Sequence, residues 1–315
     1  MSLKVAIQMD AIENFNIKKD STFVIGLEAL KRGYDLYYYL VPDLRFEDGK
    51  VLAKARKVTE LRREVGNHFS ANDPEVIDLK EDIDIVLMRQ DPPFDMNYIT
   101  ATHILDHLKG HTLVLNDPSS VRNAPEKLLV THFPQYIPET LITSDSEAIR
   151  DFWQKHKKII LKPLYGNGGE QIYLIDENNL NINALLEMFD KFYNEPIIAQ
   201  RYIPEATEGD KRIILIDGEV AGAVLRVPAK GEARANFDAG ATGVKSTLTA
   251  REIEICEALK PLLKEQNLVF TGIDIIGDYI TEINVTSPTG LQQINQLDGV
   301  CLESDLWDAF ERKLK

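Results

Sequence analysis

The chain has 315 residues, of which 44% are hydrophobic and 27% charged, with a formal net charge of -14 at pH 7. That length exceeds one small core and fits two or three subdomains, and the hydrophobic share argues against global disorder. The acidic balance repels phosphate polymers, which counts against nucleic acid and anionic membranes as partners but leaves room for a nucleotide held by a metal ion and a few local cations.

The first third alternates strand and helix. Residues 5–9 form a buried strand running into Asp10, and Asp20, Ser21 and Thr22 offer N-caps for a helix through Phe23, Val24, Leu27 and Leu30 that Gly33 stops. A second strand covers 36–40, and the charge-dense stretch 50–67 reads as a solvated helix or a long excursion. A third strand at 83–88 enters the Pro-rich turn Asp91-Pro92-Pro93, and a helix over 97–108 and a strand at 112–115 complete a βαβ-type half. The pattern changes from Asn116 to Ser120, which places a domain boundary near Ser120.

Ser144 with Glu147 three residues on predicts a capping box and a helix to about 156. Strands follow at 159–161 and 172–175 around a Gly-rich turn, then a helix over 183–193 and short strands at 197–200, 212–216 and 220–225. Asp217-Gly218 joins the last two as a hairpin turn. Residues 228–245 are rich in Gly and Ala without periodicity and read as a long functional loop. A helix over 249–266 leads to a hairpin at 269–284, and a last helix begins near Ser304.

Cys256 and Cys301 lie far apart without metal-ligand spacing, as reduced thiols of a cytoplasmic protein would. No signal peptide precedes the strand that starts at Val5, and no apolar run approaches the ~20 residues a membrane span needs, so a soluble, intracellular chain is expected. The six histidines form no ligand set. His103, His107 and His111 recur every four residues, but Gly110 ends the helix before the third, which leaves them as surface residues.

Three groups of residues could carry chemistry. In Lys162-Pro-Leu-Tyr-Gly166-Asn-Gly168-Gly169, a lysine closes a buried strand before a glycine turn, where backbone N–H groups can approach phosphate oxygens. The spacing is neither the dinucleotide fingerprint nor the P-loop, and on its own it reads as a strand–turn–strand hairpin. In the 269–284 hairpin, Asp274 interrupts an apolar strand, while Glu282 and Asn284 share one face of the returning strand. A two-residue turn at Gly277-Asp278 would pair Asp274 with Thr281 and put Glu282 on the other face. A three-residue loop, with Gly277 or Asp278 at positive φ, would bring all three to one face, and that is the expectation. Three oxygen donors suit Mg²⁺ or Mn²⁺ better than Zn²⁺. The third group is Lys127, Arg212, Arg226 and Arg234: individually each reads as a solvated surface charge, but with Lys162 they could form a positive pocket.

Lys162 before its Gly loop, Ala199-Gln-Arg-Tyr-Ile-Pro204, Gly209-Asp-Lys-Arg212 and the Asp274/Glu282/Asn284 hairpin follow one another in the order of the ATP-grasp superfamily. The chain more closely resembles bacterial glutathione synthetases. It does so through Asn16-Ile-Lys-Lys-Asp20-Ser-Thr-Phe23, Met88-Arg-Gln-Asp-Pro-Pro-Phe-Asp95, Ile160-Leu-Lys-Pro163, Asp274-Ile-Ile-Gly-Asp278 and Thr281-Glu-Ile-Asn-Val-Thr-Ser-Pro-Thr289. The resemblance spans nearly the whole chain. It implies an α/β fold, in part α+β: an N-terminal Rossmann-like (pre-ATP-grasp) domain over 1–121 and an ATP-grasp domain over 122–315, split into a small central lid subdomain (122–202) and a C-terminal catalytic subdomain (203–315).

The same resemblance implies ligation of γ-glutamylcysteine to glycine at the expense of ATP. Lys127, Lys162, Gly166, Gly168, Gly169 and Asp210 would serve ATP, and Gln200, Arg201, Tyr202 and Ile203 would line its adenine slot. Asp274, Glu282 and Asn284 would hold Mg²⁺ or Mn²⁺, and Arg212 and Arg226 would stabilise the transferring phosphoryl group or the tetrahedral oxyanion. Arg89, Asp91, Arg234, Asn236, Ser287 and Thr289 would contact the substrates, residues 228–243 would form a lid, and the assembly would be a homotetramer. The chain departs from the family at Tyr165, where Asp is common, at Asn167, and at Gly240-Ala241 in place of a Gly-Gly pair; the last bears on lid kinetics. Two rivals share these features in part: another ATP-grasp ligase, such as a D-alanine–D-alanine or amino-acid–peptide ligase, and a nucleotide-binding module without turnover. A Rossmann-type dehydrogenase does not, because no Gly-x-Gly-x-x-Gly follows the first strand.

Overall fold

The computed structural model describes residues 2–166, 168–169, 171–193, 195–230, 234–237 and 240–314. Its N-terminal sheet starts with β1 (Lys4–Gln8), α1 (Ser21–Lys31) and β2 (Asp35–Tyr39), the two strands running parallel as a right-sized βαβ crossover allows. Asp20 caps α1, its carboxylate accepting from Phe23 N at 2.7 Å, and Gly33 at φ +78° turns the chain out of the helix.

After β3 (Leu44–Glu47), residues expected as helix or excursion form the long strand β4 (Lys50–Leu61). Val51, Ala53 and Ala55 alternate into one core cluster and Val58, of opposite parity, into the other, so tertiary pairing overrides the helix propensity of the intervening Lys, Arg and Ala residues. β4 runs antiparallel to β2 and also pairs the short β5 (Phe69–Ala71) and β6 (Glu75–Asp78). β7 (Ile85–Met88), α2 (Met96–Leu105) and β8 (Leu113–Leu115) complete the sheet in the order β3-β4-β2-β1-β7-β8.

Two short helices, α3 (Pro118–Asn123) and α4 (Glu126–Leu129), lead to the second unit. There, β9 (Thr140–Thr143), α5 (Ser146–His156), β10 (Ile159–Pro163), β11 (Tyr173–Ile175), α6 (Ile182–Phe192) and β12 (Ile197–Arg201) build an antiparallel sheet in the order β11-β10-β12-β9. The cap of α5 is Asp145, which accepts from Glu147 N and Ala148 N, and not the expected Ser144; a carboxylate competes better for the helix end. This sheet buries its own cluster, Ile149, Ile159, Leu161, Leu186 and Phe189 among it.

The third unit holds β13 (Asp210–Ile216), β14 (Glu219–Val227), β15 (Thr242–Lys245), α7 (Ala250–Glu265), β16 (Phe270–Ile276), β17 (Tyr279–Asn284), α8 (Leu291–Asp298) and α9 (Leu302–Lys313). Its sheet runs β15-β14-β13-β16-β17, all antiparallel. Asp217 and Gly218 both have positive φ, which makes the expected hairpin turn type I′. The end of the supposed 228–245 loop is instead β15, which pairs β14 as an edge strand. α8 carries no helix signal in the sequence reading above, and it starts at Gly290 with φ +121°.

The first and third sheets share their cores, with Ala6, Met88 and Tyr98 clustering with Ile213, Ile273 and Ile283. Asn116 fastens the joint: its amide nitrogen donates to Phe270 O and Val285 O at 2.8 Å each, and its oxygen accepts from Phe270 N at 2.9 Å. Trp307 of α9 is fully buried and donates to Ile25 O of α1 at 2.9 Å. Among the described residues, no helix is long and apolar enough to cross a membrane.

Candidate active site

The β16–β17 hairpin reaches the expected facing by another route. Its turn has two residues, Gly277 and Asp278, with positive φ at Gly277 only, the pattern of a type II′ turn, and not the expected three-residue loop. Ile275 pairs Ile280, but then a bulge inserts Thr281, so Asp274 stands opposite Glu282 and Gly272 opposite Asn284. Thr281 Oγ1 donates to Asp274 O at 3.2 Å and ties the bulge. Asp274, Glu282 and Asn284 therefore share one face.

The neighbouring strands continue that face. Arg212 on β13 pairs Asp274, and Arg226 on β14 pairs Asp210. The Arg212 guanidinium grips Asp274 in a fork, Nε to Oδ1 at 2.5 Å and Nη2 to Oδ2 at 3.0 Å, and donates from Nη1 to Thr289 O at 3.1 Å. Arg226 Nη2 lies 2.5 Å from Asp210 Oδ2 and 2.9 Å from Asp274 Oδ2. The row Asp210–Arg226–Asp274–Arg212 alternates in sign; Arg226, Asp274 and Arg212 are buried and Asp210 is half-buried. Burial would push the Asp274 carboxyl up, but Arg212 and Arg226 outweigh it and hold it well below the usual range. Asp210 shows the reverse balance: burial first and the Asp274 charge after it raise its carboxyl to about 7, against the pull of Arg226. Gly272 leaves the space Arg212 needs, since a Cβ there would fall 3.1 Å from its Cδ and Nη1.

Lys127, Arg212 and Arg226 are buried, which corrects their individual reading as solvated charges; Arg234 is half-buried. Lys127 Nζ donates to Gly166 O and lies 3.5 Å from Glu282 Oε1. Lys162 is buried at the end of β10, where burial pulls its ammonium below the ordinary value and the Glu282 charge opposes that pull. Gly168 and Gly169 both have positive φ, and a Cβ on Gly169 would come within 2.4 Å of Asn236 Oδ1.

Two cavities flank this face. The first, of about 470 Å³, has apolar walls from Ile160, Ile172, Leu174 and Ile203 and is lined by Lys162, Gly169, Gln200, Arg201, Tyr202, Asp210 and Asp274. Gln200 is oriented by a 2.9 Å bond to Thr140 Oγ1, and the Arg201 guanidinium lies 5.2 Å from the centre of the Tyr279 ring. The second, of about 380 Å³, is more polar and takes in Asp91, Gly168, Arg212, Arg226, Asn284, Ser287 and Thr289. Glu282 and Asn236 line both, so the two spaces meet there; Arg234 lines the first alone.

Lys127 and Gly166 lie behind these cavities, around a small recess beside Tyr165. Arg89 lines neither cavity and is buried beneath the second, donating to Thr22 Oγ1 and Pro288 O at 3.1 Å each. Asn167 and the lid positions 231–233 and 238–239 lie outside the described residues. Asp10, Lys19, Asp20 and Glu126, none of them among the site residues expected from the sequence, also line the second cavity. Asp10 and Asp20 were visible only as a strand end and a helix cap. His103, His107 and His111 are exposed, as expected of surface histidines.

Among the described residues, no three His, Cys, Asp or Glu side chains gather as a metal group. The available set is two carboxylates and one carboxamide. Asn284 Nδ2 donates to Gly272 O at 3.2 Å, which turns its oxygen away from that bond. An all-oxygen set on one face fits a hard divalent cation in its chemistry, with Asp274 shared between the cation and two arginines.

Comparison with known proteins gives the same picture for both halves. The profile described as "Prokaryotic glutathione synthetase, N-terminal domain" matches residues 3–122, and "Prokaryotic glutathione synthetase, ATP-grasp domain" matches residues 126–299. A glutathione synthetase from Brucella melitensis is 50% identical over 313 residues, covering 99% of this chain and 100% of the relative. One from Vibrio parahaemolyticus is 41% identical, covering 99% of each. Among solved structures, the D-cycloserine synthetase DcsG superposes with a TM-score of 0.69 at 15% identity, covering 99% of this chain and 100% of that one. The RimK domain ATP-grasp protein from Sphaerobacter thermophilus gives 0.64 at 15% identity, covering 97% and 98%. The structural neighbours speak for the ATP-grasp fold alone.

Proposed function

The chain belongs to the prokaryotic glutathione synthetase family, and from that premise we propose how its residues divide the reaction. It is an ATP-dependent carboxylate–amine ligase: γ-L-glutamyl-L-cysteine and glycine are joined to glutathione while ATP becomes ADP and phosphate through an acyl phosphate, the second step of glutathione biosynthesis.

The observation that supports the assignment of roles is the charged row on the third sheet, set where the two cavities meet. ATP occupies the first cavity, with adenine against Gln200, Arg201, Tyr202 and Ile203 and phosphates toward Lys127, Lys162, the glycine turn and Asp210. The dipeptide and glycine occupy the second, in reach of Asp91, Ser287, Thr289 and the lid residue Asn236, with Arg89 supporting them from below and Arg234 reaching them from the first cavity where the two spaces meet. Asp274, Glu282 and Asn284 hold a divalent metal, Mg²⁺ or Mn²⁺, which when bound supplies charge neutralisation at phosphate oxygens.

The cysteinyl carboxylate attacks the γ-phosphorus, and the glycine amine then displaces phosphate from the acyl phosphate. No protein nucleophile is needed. Arg212 and Arg226 are already ordered by Asp274 and Asp210, so they meet the developing oxyanion without reorganising. The lid over 228–243 shields the acyl phosphate from water.

The domain division stays at 1–121 and 122–315, with the separate core of the central sheet supporting a further division near 202. Cys256 and Cys301 are free, in keeping with a cytoplasmic location, and the family resemblance favours a homotetramer, which light scattering on the purified chain tests. The functional test is phosphate release from ATP and Mg²⁺. It is expected only when γ-glutamylcysteine and glycine are both present; release with two D-alanines instead would overturn the reading.

A further inference from the structure

Helix α4 sends two consecutive side chains to opposite sides of the site. Lys127 reaches Gly166 O and Glu282, on the nucleotide side. Glu126 reaches the segment that continues from Asn284: its Oε1 accepts from Val285 N at 3.1 Å, Thr286 N at 3.3 Å and Thr286 Oγ1 at 2.7 Å. Two further anchors hold the same segment. Arg89 donates to Pro288 O and accepts from Ser287 Oγ through its own carbonyl, at 3.1 Å each, and Arg212 donates to Thr289 O at 3.1 Å.

We propose that Glu126 is a positioning residue for this ligase, holding the 285–289 segment so that Asn284, Ser287 and Thr289 face the second cavity in register with Lys127, which stands behind the cavities against Gly166 and Glu282. The inference rests on the reading that this segment serves the peptide and amine substrates. Its physical basis is the convergence of three donors on one carboxylate oxygen. Two successive backbone N–H groups bound to one atom fix the path of the chain between them, and the Thr286 hydroxyl locks the rotamer of the residue next to Ser287. The anchor sits at the start of the segment, one residue after Asn284, so an error there displaces everything downstream. Because Glu126 and Lys127 are neighbours on one helical turn, a shift of α4 moves both sides of the site together.

Three variants test this: Glu126→Ala, Glu126→Gln and Thr286→Val. Loss of the acceptor in Glu126→Ala is expected to lower kcat/KM for the dipeptide by about 10–100-fold, as lost supporting contacts do, with ADP affinity unchanged. Glu126→Gln keeps an oxygen acceptor and is expected within about fivefold of the parent, the scale of one ordinary hydrogen bond. Thr286→Val removes one donor, keeps the fold and is expected to lose about fivefold on the same axis. Amide exchange at residues 285 and 286, read without turnover, is expected to speed up in Glu126→Ala. Unchanged exchange there, a glutamine variant as poor as alanine, or an equal loss of ADP binding would each overturn the inference. The parent enzyme assayed alone tests the ligase reading, so the two failures are distinguishable.

Discussion

Glu282 stands directly opposite Asp274 although the turn between their strands has an even count, because Thr281 is bulged out of the ladder. Side chains on a strand alternate faces, so without the bulge Glu282 would point away from the charged row. Deleting Thr281 removes the extra residue and leaves Glu282 paired with Asp274 in a regular ladder, so the facing survives and turnover is expected within about fivefold of the parent, the scale of one ordinary hydrogen bond. Thr281→Ala keeps the residue count and loses only the 3.2 Å bond to Asp274 O, so about 1 kcal/mol of stability should go with near-normal turnover. A loss of about 100-fold or more on deletion, with Thr281→Ala near normal, would show that Glu282 is not placed by its pairing with Asp274.

Arg226 is shared between the buried Asp274 and the half-buried Asp210, and this makes its removal costly in two separable ways. Arg226→Met leaves Asp210 and Asp274 short of a cation, and the expected loss is about 3–5 kcal/mol in urea unfolding. Turnover should fall by about 10²–10³. Adding Asp210→Asn removes one of the stranded charges, so the double variant should regain part of the stability and none of the rate. Recovery of rate in the double variant would mean that Arg226 acts only as a structural partner.

The sequence made the polar residues of the hairpin legible because each breaks an apolar run, but it did not make the register legible. A bulge has no residue signature of its own here: Thr281 is an ordinary strand residue, and only tertiary pairing reveals that it is the extra one. The burial of Lys127, Arg212 and Arg226 was hidden for a related reason, since a cation is kept inside by carboxylates that lie on other strands. β4 was misread because Lys, Arg and Ala are good helix formers, whereas its alternating Val51, Ala53 and Ala55 needed a sheet to pack against. What read correctly, the cap of α1 and the Asp217-Gly218 turn, depends on neighbouring residues alone.

The two glycines of the phosphate turn should respond differently to the same substitution. Gly168 has φ +62° and, among the described residues, no contact within 4 Å of a Cβ, so Gly168→Ala incurs backbone strain of about 1–2 kcal/mol and little else. Gly169 has φ +77° and a Cβ there would fall 2.4 Å from Asn236 Oδ1, so Gly169→Ala should also push the lid segment away from the turn. KM for ATP is expected to rise about tenfold more in the second variant, equivalent to ~1.4 kcal/mol. Matching KM values in steady-state kinetics would mean that the Gly169–Asn236 approach plays no part in holding nucleotide.

Arg32 staples α1 to α9, and its partners set an acid limit on stability. Its guanidinium lies 3.1 Å from Glu28, 2.8 Å from Asp308 and 2.5 Å from Glu311, and donates to Ser304 O at 2.9 Å. Burial would raise the Glu28 carboxyl, but Lys31 and Arg32 together hold it below its ordinary 4.5. Tyr34 and then Arg32 do the same for Glu311. A depressed folded-state pKa means that this stabilisation is complete above the ordinary carboxylate value and is lost as pH falls through the lower folded one. Arg32→Met is therefore expected to lose about 1.5–3 kcal/mol at pH 7, the range for hydrogen bonds to charged groups. That difference from the parent should shrink steadily below about pH 4.5, where the carboxylates begin to protonate in the unfolded chain. Urea unfolding across pH 3–7 measures both curves; a constant gap between them would show that Arg32 contributes through packing of its stem and not through its charge.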